Sequence, residues 1–133
     1  MGSRKVSELD PRLQPLVAQF ALMMAEKGLA FVITSTYRSP AEQDELFAQG
    51  RTKPGPIVTW TRNSKHNRRL AFDIALFVDR RASWDLKKDV NENEIPDYEE
   101  AGRIGEEVGL AWGGRWTKPD YCHFELKEGG VEI

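Results

Sequence analysis

One apolar run, residues 70–78, constrains the fold of this chain more than any other segment. Its aromatic, aliphatic and β-branched side chains predict a buried strand, yet Asp73 stands in the middle of it. Burying an ionised carboxylate costs several kcal/mol unless a cation or hydrogen-bond donors compensate. Asp73 is therefore expected to face solvent, to pair with an arginine, or to bind a metal ion.

The chain as a whole has the composition of a folded protein of 133 residues. That length predicts one domain over 1–133, with a core at 10–126 and frayed ends at 1–6 and 127–133. A single cysteine excludes an internal disulfide and a cysteine-rich zinc site, so any metal must be bound by histidines and carboxylates. The net charge of −2 speaks against a nucleic-acid partner.

Helical and strand patterns alternate along the chain, which predicts an α+β fold with an antiparallel sheet flanked by helices. Turn and capping signals delimit the elements, from the proline at position 15 to the glycine at position 109. The predicted helices are 15–27, 40–49 and 97–108, and the predicted strands are 30–34, 70–78 and 121–126. Residues 87–96 are charged and rich in asparagine, which is typical of a mobile insertion.

The chain contains two histidines, His66 and His123. Strand alternation places His123 on the same face as Tyr121 and Glu125, whereas Cys122 faces the other way, which weakens a Cys/His nucleophile. A lone histidine on a strand is more often structural than a ligand. Together with Asp73, however, the two histidines have the composition of a catalytic zinc site that keeps one position open. An HExxH motif, the common helical zinc-peptidase arrangement, is absent.

Four segments resemble the motifs of one known family, the LAS-type zinc peptidases. Residues 64–73, SKHNRRLAFD, resemble its S-x-H-x-x-G-x-A-x-D motif. The other matching segments are 35–43, containing STYRS and Glu42-Gln43, the WGG at 112–114, and DYCHFE at 120–125. The family includes VanY-like D-alanyl-D-alanine carboxypeptidases and phage L-alanyl-D-glutamate endopeptidases. The resemblance implies a LAS/Hedgehog-like peptidase fold.

The resemblance also implies a role for each matching residue. His66, Asp73 and His123 would bind one Zn²⁺ per chain. Asp120 would be the general base, with Glu125 as a rival on the face of His123, and Arg38 would hold the substrate carbonyl or the developing oxyanion. Ser64, Tyr37, Gln43 and Glu125 would support the site or bind substrate.

One position departs from the family pattern, because Arg69 stands where the family has glycine. Arginine adopts positive φ less readily, so a different loop geometry is expected there. Arg69 also belongs to a basic cluster with Arg62, Lys65 and Arg68, which is either a docking rim for substrate carboxylates or a solvated loop.

The resemblance leads to three functional hypotheses. The first is an L-alanyl-D-glutamate endopeptidase of the phage endolysin type, acting as a monomer on the stem peptide of peptidoglycan. The alternatives are a D-alanyl-D-alanine or L,D-carboxypeptidase, and a catalytically silent zinc module that binds peptides. The N-terminal residues have no signal-peptide pattern and no segment is apolar enough for stable membrane insertion, so we expect synthesis in the cytoplasm and action on the wall after release.

Overall fold

A computed structural model describes residues 2–59, 61–62 and 64–127 of the chain. It contains three α-helices and five strands. The helices are α1 (Gln14–Glu26), α2 (Pro40–Ala48) and α3 (Asp97–Val108). The strands are β1 (Phe31–Ser35), β2 (Ala71–Val78), β3 (Arg81–Ser83), β4 (Leu110–Trp112) and β5 (His123–Leu126), and three short 3-10 helices are Val6–Glu8, Lys65–Arg68 and Gly113–Arg115.

The sheet is antiparallel at every described pairing and has the order β1-β2-β5-β4, with β3 pairing with the far end of β2. The longest strand, β2, thus contacts three others. Its register places Asp73 directly opposite His123 of β5. Because side chains alternate along a strand, this pair shares one face, and the neighbouring Phe72 and Phe124 share the other.

The hydrophobic core lies between the sheet and helices α1 and α3. Phe20 of α1 is fully buried and makes edge-on or tilted ring contacts with Phe31, Phe72 and Phe124. Helix α3 approaches the sheet closely because Gly105 leaves room for the ring of Phe124, where a Cβ atom would overlap it. The core therefore fixes β2 and β5 from one side and leaves their other side for polar residues.

Most of the predicted elements are confirmed, including the α+β class, the three helices and the capping box at Ser39. Strands β3 and β4 were not predicted, since each has only three residues and neither shows an alternating pattern of useful length. The expectation of a frayed N-terminus is wrong for the described part, and the expected frayed C-terminus lies, apart from residue 127, outside the described residues. Ser3 donates its N–H to Tyr37 O at 2.8 Å and accepts from Thr36 N at 2.7 Å.

The segment expected to be a mobile insertion, residues 87–96, is a hydrogen-bonded loop instead. Asn91 donates to the carbonyl of Lys27 at the end of α1, and Asp97 N donates to Lys88 O. The loop does not line the cleft described below, so it has no contact that would make it a lid. The part of the chain that is described contains no helix long and apolar enough to cross a membrane.

Candidate active site

A cleft of about 870 Å³ opens over the polar face of β2 and β5. This volume is within the usual range for sites that bind small molecules or peptide segments. Its floor carries the two histidines and Asp73, and one wall is formed by residues 116–120. The opposite wall includes Arg38, Leu46, Val58, Thr59 and Thr61.

His66 is presented by the short 3-10 helix Lys65–Arg68. Ser64 caps this helix, because its hydroxyl accepts a hydrogen bond from the backbone N–H of His66 at 3.1 Å. The ring Nδ1 lies 2.8 Å from Thr36 O, a carbonyl that can only accept, so Nδ1 carries the proton. The other nitrogen, Nε2, is buried, makes no hydrogen bond, and lies 3.3 Å from Asp73 Oδ1. Its lone pair is therefore available to a ligand.

His123 and Asp73 form a cross-strand pair in the floor of the cleft. His123 Nδ1 lies 3.0 Å from Asp73 Oδ1, and its Nε2 lies 2.9 Å from Glu125 Oε1. Lys65 Nζ in turn lies 2.9 Å from the second oxygen of Glu125. Glu125 therefore orients the imidazole of His123 and is itself held by Lys65.

The charges of this cluster depend strongly on one another. Burial disfavours the charge of His123, but the hydrogen bonds with Asp73 and Glu125 outweigh it and raise the pKa of His123 to about 9. Burial likewise opposes the charge of Asp73, yet the hydrogen bond from His123 and the close approach of both histidines hold the pKa of Asp73 well below its ordinary value. A negative carboxylate thus lies between two imidazoles, and its charge attracts a cation to the same place.

The three side chains fit a divalent metal ion. One ligand atom from each of His66, Asp73 and His123 lies within 4.8 Å of the others. Nε2 of His66 is buried and has no hydrogen-bond partner, as expected for a nitrogen that binds a metal ion. Each imidazole also donates its outer N–H to a fixed acceptor, Thr36 O for His66 and Glu125 for His123, an arrangement common for histidine ligands of metals. Two imidazoles and a carboxylate suit zinc and leave room for a further ligand.

Asp120 lies on the cleft wall at the edge of this cluster. Asp120 is exposed as a whole residue, but the surrounding wall partly desolvates its carboxyl group. This desolvation, together with the negative charge of Asp73, raises the pKa of Asp120. The backbone fixes its place, because Asp120 N donates to Gly113 O at 2.9 Å and Asp120 O accepts from His123 N at 3.2 Å. A carboxylate whose proton affinity is raised is suited to accept a proton.

Arg38 extends over the opposite wall and is held by neutral partners. Its guanidinium donates to Gln43 Oε1 at 2.8 Å and lies 3.4 Å from Ser35 Oγ. Gln43 is fully buried and donates through Nε2 to Thr61 O at 2.6 Å. Because Gln43 is neutral, the charge of Arg38 remains available to a negatively charged group in the cleft.

Two expected features lie elsewhere. The ring of Tyr37 does not line the cleft; it packs under the guanidinium of Arg69, 4.0 Å away. The hypothesis of a basic rim formed by four residues is wrong, because only Lys65 of that cluster lines the cleft, and it is paired with Glu125. Arg69 instead donates to Glu8 O at 2.9 Å, and Arg62 lies 3.6 Å from Asp44.

Arg69 takes the backbone conformation that a glycine would favour. Its φ is 64° and its ψ is 25°, so the left-handed turn at the end of the 3-10 helix is retained. The expected change of loop geometry is therefore not found. Contacts with Glu8 and Tyr37 offset the cost of this conformation for a residue that carries a Cβ atom.

The sequence did not reveal the roles of three residues of the site, of which Lys65 was expected only as part of the basic rim. Lys65 neutralises Glu125, Trp116 packs its ring 4.9 Å from that of His123, and Asn67 donates to Arg38 O at 2.8 Å. Asn67 had a recognisable signal, since it stands three residues after the capping Ser64. Cys122 lies beside the core, where burial raises the pKa of its thiol to about 12, which excludes a thiolate nucleophile near neutral pH.

Comparisons with known proteins agree on one family. A profile of the Peptidase_M15_4 family, described as D-alanyl-D-alanine carboxypeptidase, matches residues 58–126. Over 124 residues the chain is 44% identical to the peptidoglycan L-alanyl-D-glutamate endopeptidase CwlK of Bacillus subtilis (strain 168), covering 90% of this chain and 74% of CwlK.

Two solved structures share the fold. The Serratia marcescens L-Ala D-Glu endopeptidase ChiX superposes with a TM-score of 0.71 at 20% identity, covering 96% of this chain and 89% of ChiX. VanYB in complex with D-alanine-D-alanine superposes with a TM-score of 0.60 at 18% identity, covering 89% of this chain and 71% of VanYB. Members of the M15 family are metallopeptidases, in accord with the candidate metal site. The chain therefore belongs to the M15 peptidases, the LAS-type, VanY-like family of peptidoglycan-hydrolysing enzymes.

Proposed function

We propose that this protein is a zinc-dependent endopeptidase that cuts the L-alanyl-D-glutamate bond of the peptidoglycan stem peptide. The observation that carries the proposal is the convergence of His66, Asp73 and His123 within 4.8 Å on the floor of a cleft whose walls carry Asp120 and Arg38. This arrangement supplies a metal site, a base and a cation, the three groups that hydrolysis of a peptide bond by this route requires.

The protein side chains prepare the site for a metal ion. Thr36 and Glu125 select the ring nitrogen that each histidine presents, Nε2 of His66 and Nδ1 of His123. When bound, a zinc ion lowers the pKa of a coordinated water towards about 7 and polarises a carbonyl oxygen. Asp120 is the base that accepts a proton from the attacking water, because the raised pKa of its carboxyl favours proton uptake. The same carboxyl then donates this proton to the leaving amine.

Arg38 stabilises the negative charge that develops on the oxygen of the scissile carbonyl. The interaction is stronger in the transition state than with the neutral substrate, so it lowers the barrier. The hydrogen bond from Arg38 to Gln43 keeps the guanidinium in place before substrate arrives. This fixed position avoids reorganisation during the reaction. Glu125 has a different role, since its oxygens are occupied by His123 and Lys65.

The choice of bond rests on the similarity to CwlK, whose 44% identity extends over 90% of this chain. A D-alanyl-D-alanine carboxypeptidase is the second candidate, favoured by the description of the matching family profile and by the complex of VanYB with D-alanine-D-alanine. We further propose that the enzyme acts on the cell wall as a phage-type endolysin and does so as a monomer.

Digestion of purified peptidoglycan distinguishes the two bonds. The endopeptidase releases new N-terminal D-glutamate, whereas the carboxypeptidase releases free D-alanine, and mass spectrometry with terminal labelling identifies each product. About one zinc per chain is expected by metal analysis. Asp120→Asn should keep the zinc and lose most of the hydrolysis. Asp79→Asn, an exposed change in the turn after β2, is the matched control and should keep both. Full activity of the Asp120→Asn protein would contradict the assignment of the base.

A further inference from the structure

The loop that enters α3 has a sequence pattern with a specific chemistry. From residue 89 it reads DVNENEIPDYEE, with oxygen-bearing side chains at the first, third, fifth, ninth and twelfth positions. These are the positions from which the twelve-residue loop of an EF-hand provides calcium ligands, and the seventh contributes its backbone carbonyl. Here the corresponding residues are Asp89, Asn91, Asn93, Ile95, Asp97 and Glu100.

Two of the three carboxylates at these ligand positions are buried without a cation to pair with. Asp97 is 1% exposed and Glu100 is 6% exposed. Within the described part of the chain, no ion pair joins a lysine or arginine to Asp89, Asp97 or Glu100. The carboxylate of Asp97 accepts the backbone N–H of Val90, which lies 3.1 Å from one oxygen and 3.0 Å from the other. Buried carboxylates that lack a cationic partner are unusual and point to a missing positive charge.

The side chain of Asn91 gives an independent indication of a ligand. Its amide oxygen Oδ1 is completely buried and has no hydrogen-bond donor. The same amide lies inside the loop, since its Nδ2 is 3.0 Å from Glu100 Oε1, and Asn93 Nδ2 lies 2.8 Å from that oxygen. Rotation of the Asn91 amide by a half-turn exchanges Oδ1 with Nδ2 and places Oδ1 of Asn91 next to Oε1 of Glu100. Only a cation between them makes that arrangement favourable.

The backbone already follows the course that an ion-binding loop needs. Both oxygens of Asp89 accept backbone N–H groups from across the loop, from Asn93 at 3.2 Å and from Glu94 at 2.8 Å. Glu94 occupies the sixth position, where an EF-hand loop has glycine for a sharp turn, and it adopts a positive φ of 68°. The turn is thus present although the glycine is not.

We propose that residues 89–100 form a calcium-binding loop of the EF-hand type. The ligands are oxygens of Asp89, Asn91, Asn93, Asp97 and Glu100 and the carbonyl of Ile95. Calcium is favoured over magnesium because Ca²⁺ accepts six to eight oxygen ligands in flexible geometry, whereas Mg²⁺ demands a near-ideal octahedron. The ion joins the start of α3, which carries Asp97 and Glu100, to the preceding loop, which carries Asp89 and Asn91. The proposal does not depend on the peptidase activity.

Thermal unfolding tests the proposal with the intact, zinc-loaded protein. Zinc is kept at one equivalent in chelator-free, calcium-depleted buffer, and CaCl₂ or MgCl₂ is then added to 1 mM. If 1 mM is about a hundred times the dissociation constant, calcium should raise Tm by about 5–10 °C in a domain of this size. Magnesium should raise it by less than half as much. Isothermal titration with CaCl₂ should give one site per chain.

Two variants locate the site and one serves as a control. Glu100→Gln and the less buried Asp89→Asn should fold and lose the calcium-induced shift. Glu92→Gln removes the same charge from an exposed, non-ligand position of the loop and should keep the shift. An unchanged Tm of the unmodified protein at 10 mM calcium would overturn the proposal. So would an undiminished shift in Asp89→Asn, because the ion would then bind elsewhere.

Discussion

Two parts of this molecule bury carboxylates, and they do so in different chemical surroundings. Asp73 lies on a strand between two imidazoles, one 3.0 Å and the other 3.3 Å from the same oxygen. Glu100 lies on α3 and is surrounded by the amides of Asn91 and Asn93. Nitrogen ligands with one carboxylate suit zinc, whereas a set made only of oxygens suits calcium. The groups around a buried carboxylate thus decide which cation it can bind.

The largest effect that separates the two regions should come from Asp73→Asn. The neutral amide removes the charge that attracts the metal, so zinc content should fall to less than about a tenth of an equivalent. Hydrolysis of peptidoglycan should fall at least about a thousandfold, because metal catalysis contributes several kcal/mol. The calcium-induced rise in Tm should persist. Metal analysis, a turbidity assay and thermal unfolding measure the three quantities.

Glu99→Gln is the matched control for this change. Glu99 is next to Glu100 but pairs with Arg103 on the surface of α3, so its loss should leave zinc, hydrolysis and the calcium response intact. Loss of the calcium response together with zinc in Asp73→Asn would show that the two regions are not independent.

The second largest effect should come from Arg38→Met, which keeps the length of the side chain and removes its charge. Loss of one group that stabilises the developing oxyanion should lower kcat about a hundredfold or more. Zinc content should be unchanged, because the guanidinium of Arg38 bonds to Gln43 and Ser35, and the hydrogen bond from Arg38 N to His66 O belongs to the backbone and survives the substitution. Gln43→Ala should lower kcat by a smaller factor, since it only loosens the hold on Arg38. Steady-state kinetics on a soluble stem peptide separates kcat from KM.

The zinc-type site was the easier of the two to predict from sequence. His66 and His123 are the two histidines of the chain, and Asp73 interrupts an apolar strand, so each residue is conspicuous. The asparagines of the loop 89–100 are ordinary loop residues, and the segment was interpreted as mobile because it is polar. Its burial depends on tertiary contacts with α1 and α3, which local sequence does not encode.

The same distinction applies to the supporting residues. That Glu125 shares a face with His123 follows from strand alternation, but its partner Lys65 comes from the 3-10 helix sixty residues earlier. Equally, the sequence predicted a changed loop geometry at position 69, because the contacts of Arg69 with Glu8 and Tyr37 that accompany the retained left-handed turn are long-range. The strands β3 and β4 were missed because each is defined by pairing and not by its own three residues.

A moderate effect is expected from Glu125→Gln, a change in the outer support of the metal site. The amide accepts a weaker hydrogen bond from His123 Nε2 and leaves Lys65 without a charged partner on that residue. Zinc affinity should fall about 10- to 100-fold, the usual effect of losing such a support. Competition with a chromophoric chelator measures it. If Glu125 were instead the base, zinc affinity would hardly change and hydrolysis would be abolished.

The smallest effects should come from Glu94 and Arg69, two residues that both have a left-handed backbone conformation. Glu94→Gly removes the Cβ atom at an exposed position with φ of 68° and so relieves backbone strain. The free energy of unfolding should rise by about 0.5–1 kcal/mol. Arg69→Gly relieves the same kind of strain but loses the contacts with Glu8 and Tyr37, so its net change should be smaller or destabilising. Urea unfolding compares them. Glu94→Ala is the control and should give no gain, because alanine retains the Cβ atom.

The place of β5 in the sheet has a consequence for the order of folding. Although β5 is the last described strand in the sequence, it lies between β2 and β4, and it brings His123 opposite Asp73. Until β5 inserts, β2 and β4 have unpaired edges and the cleft has only part of its ligands. Contacts between residues fifty positions apart form slowly because a long loop must close first. Acquisition of the metal therefore requires the pairing of β5 with β2, and a chain in which this pairing has not formed lacks one of the three ligands.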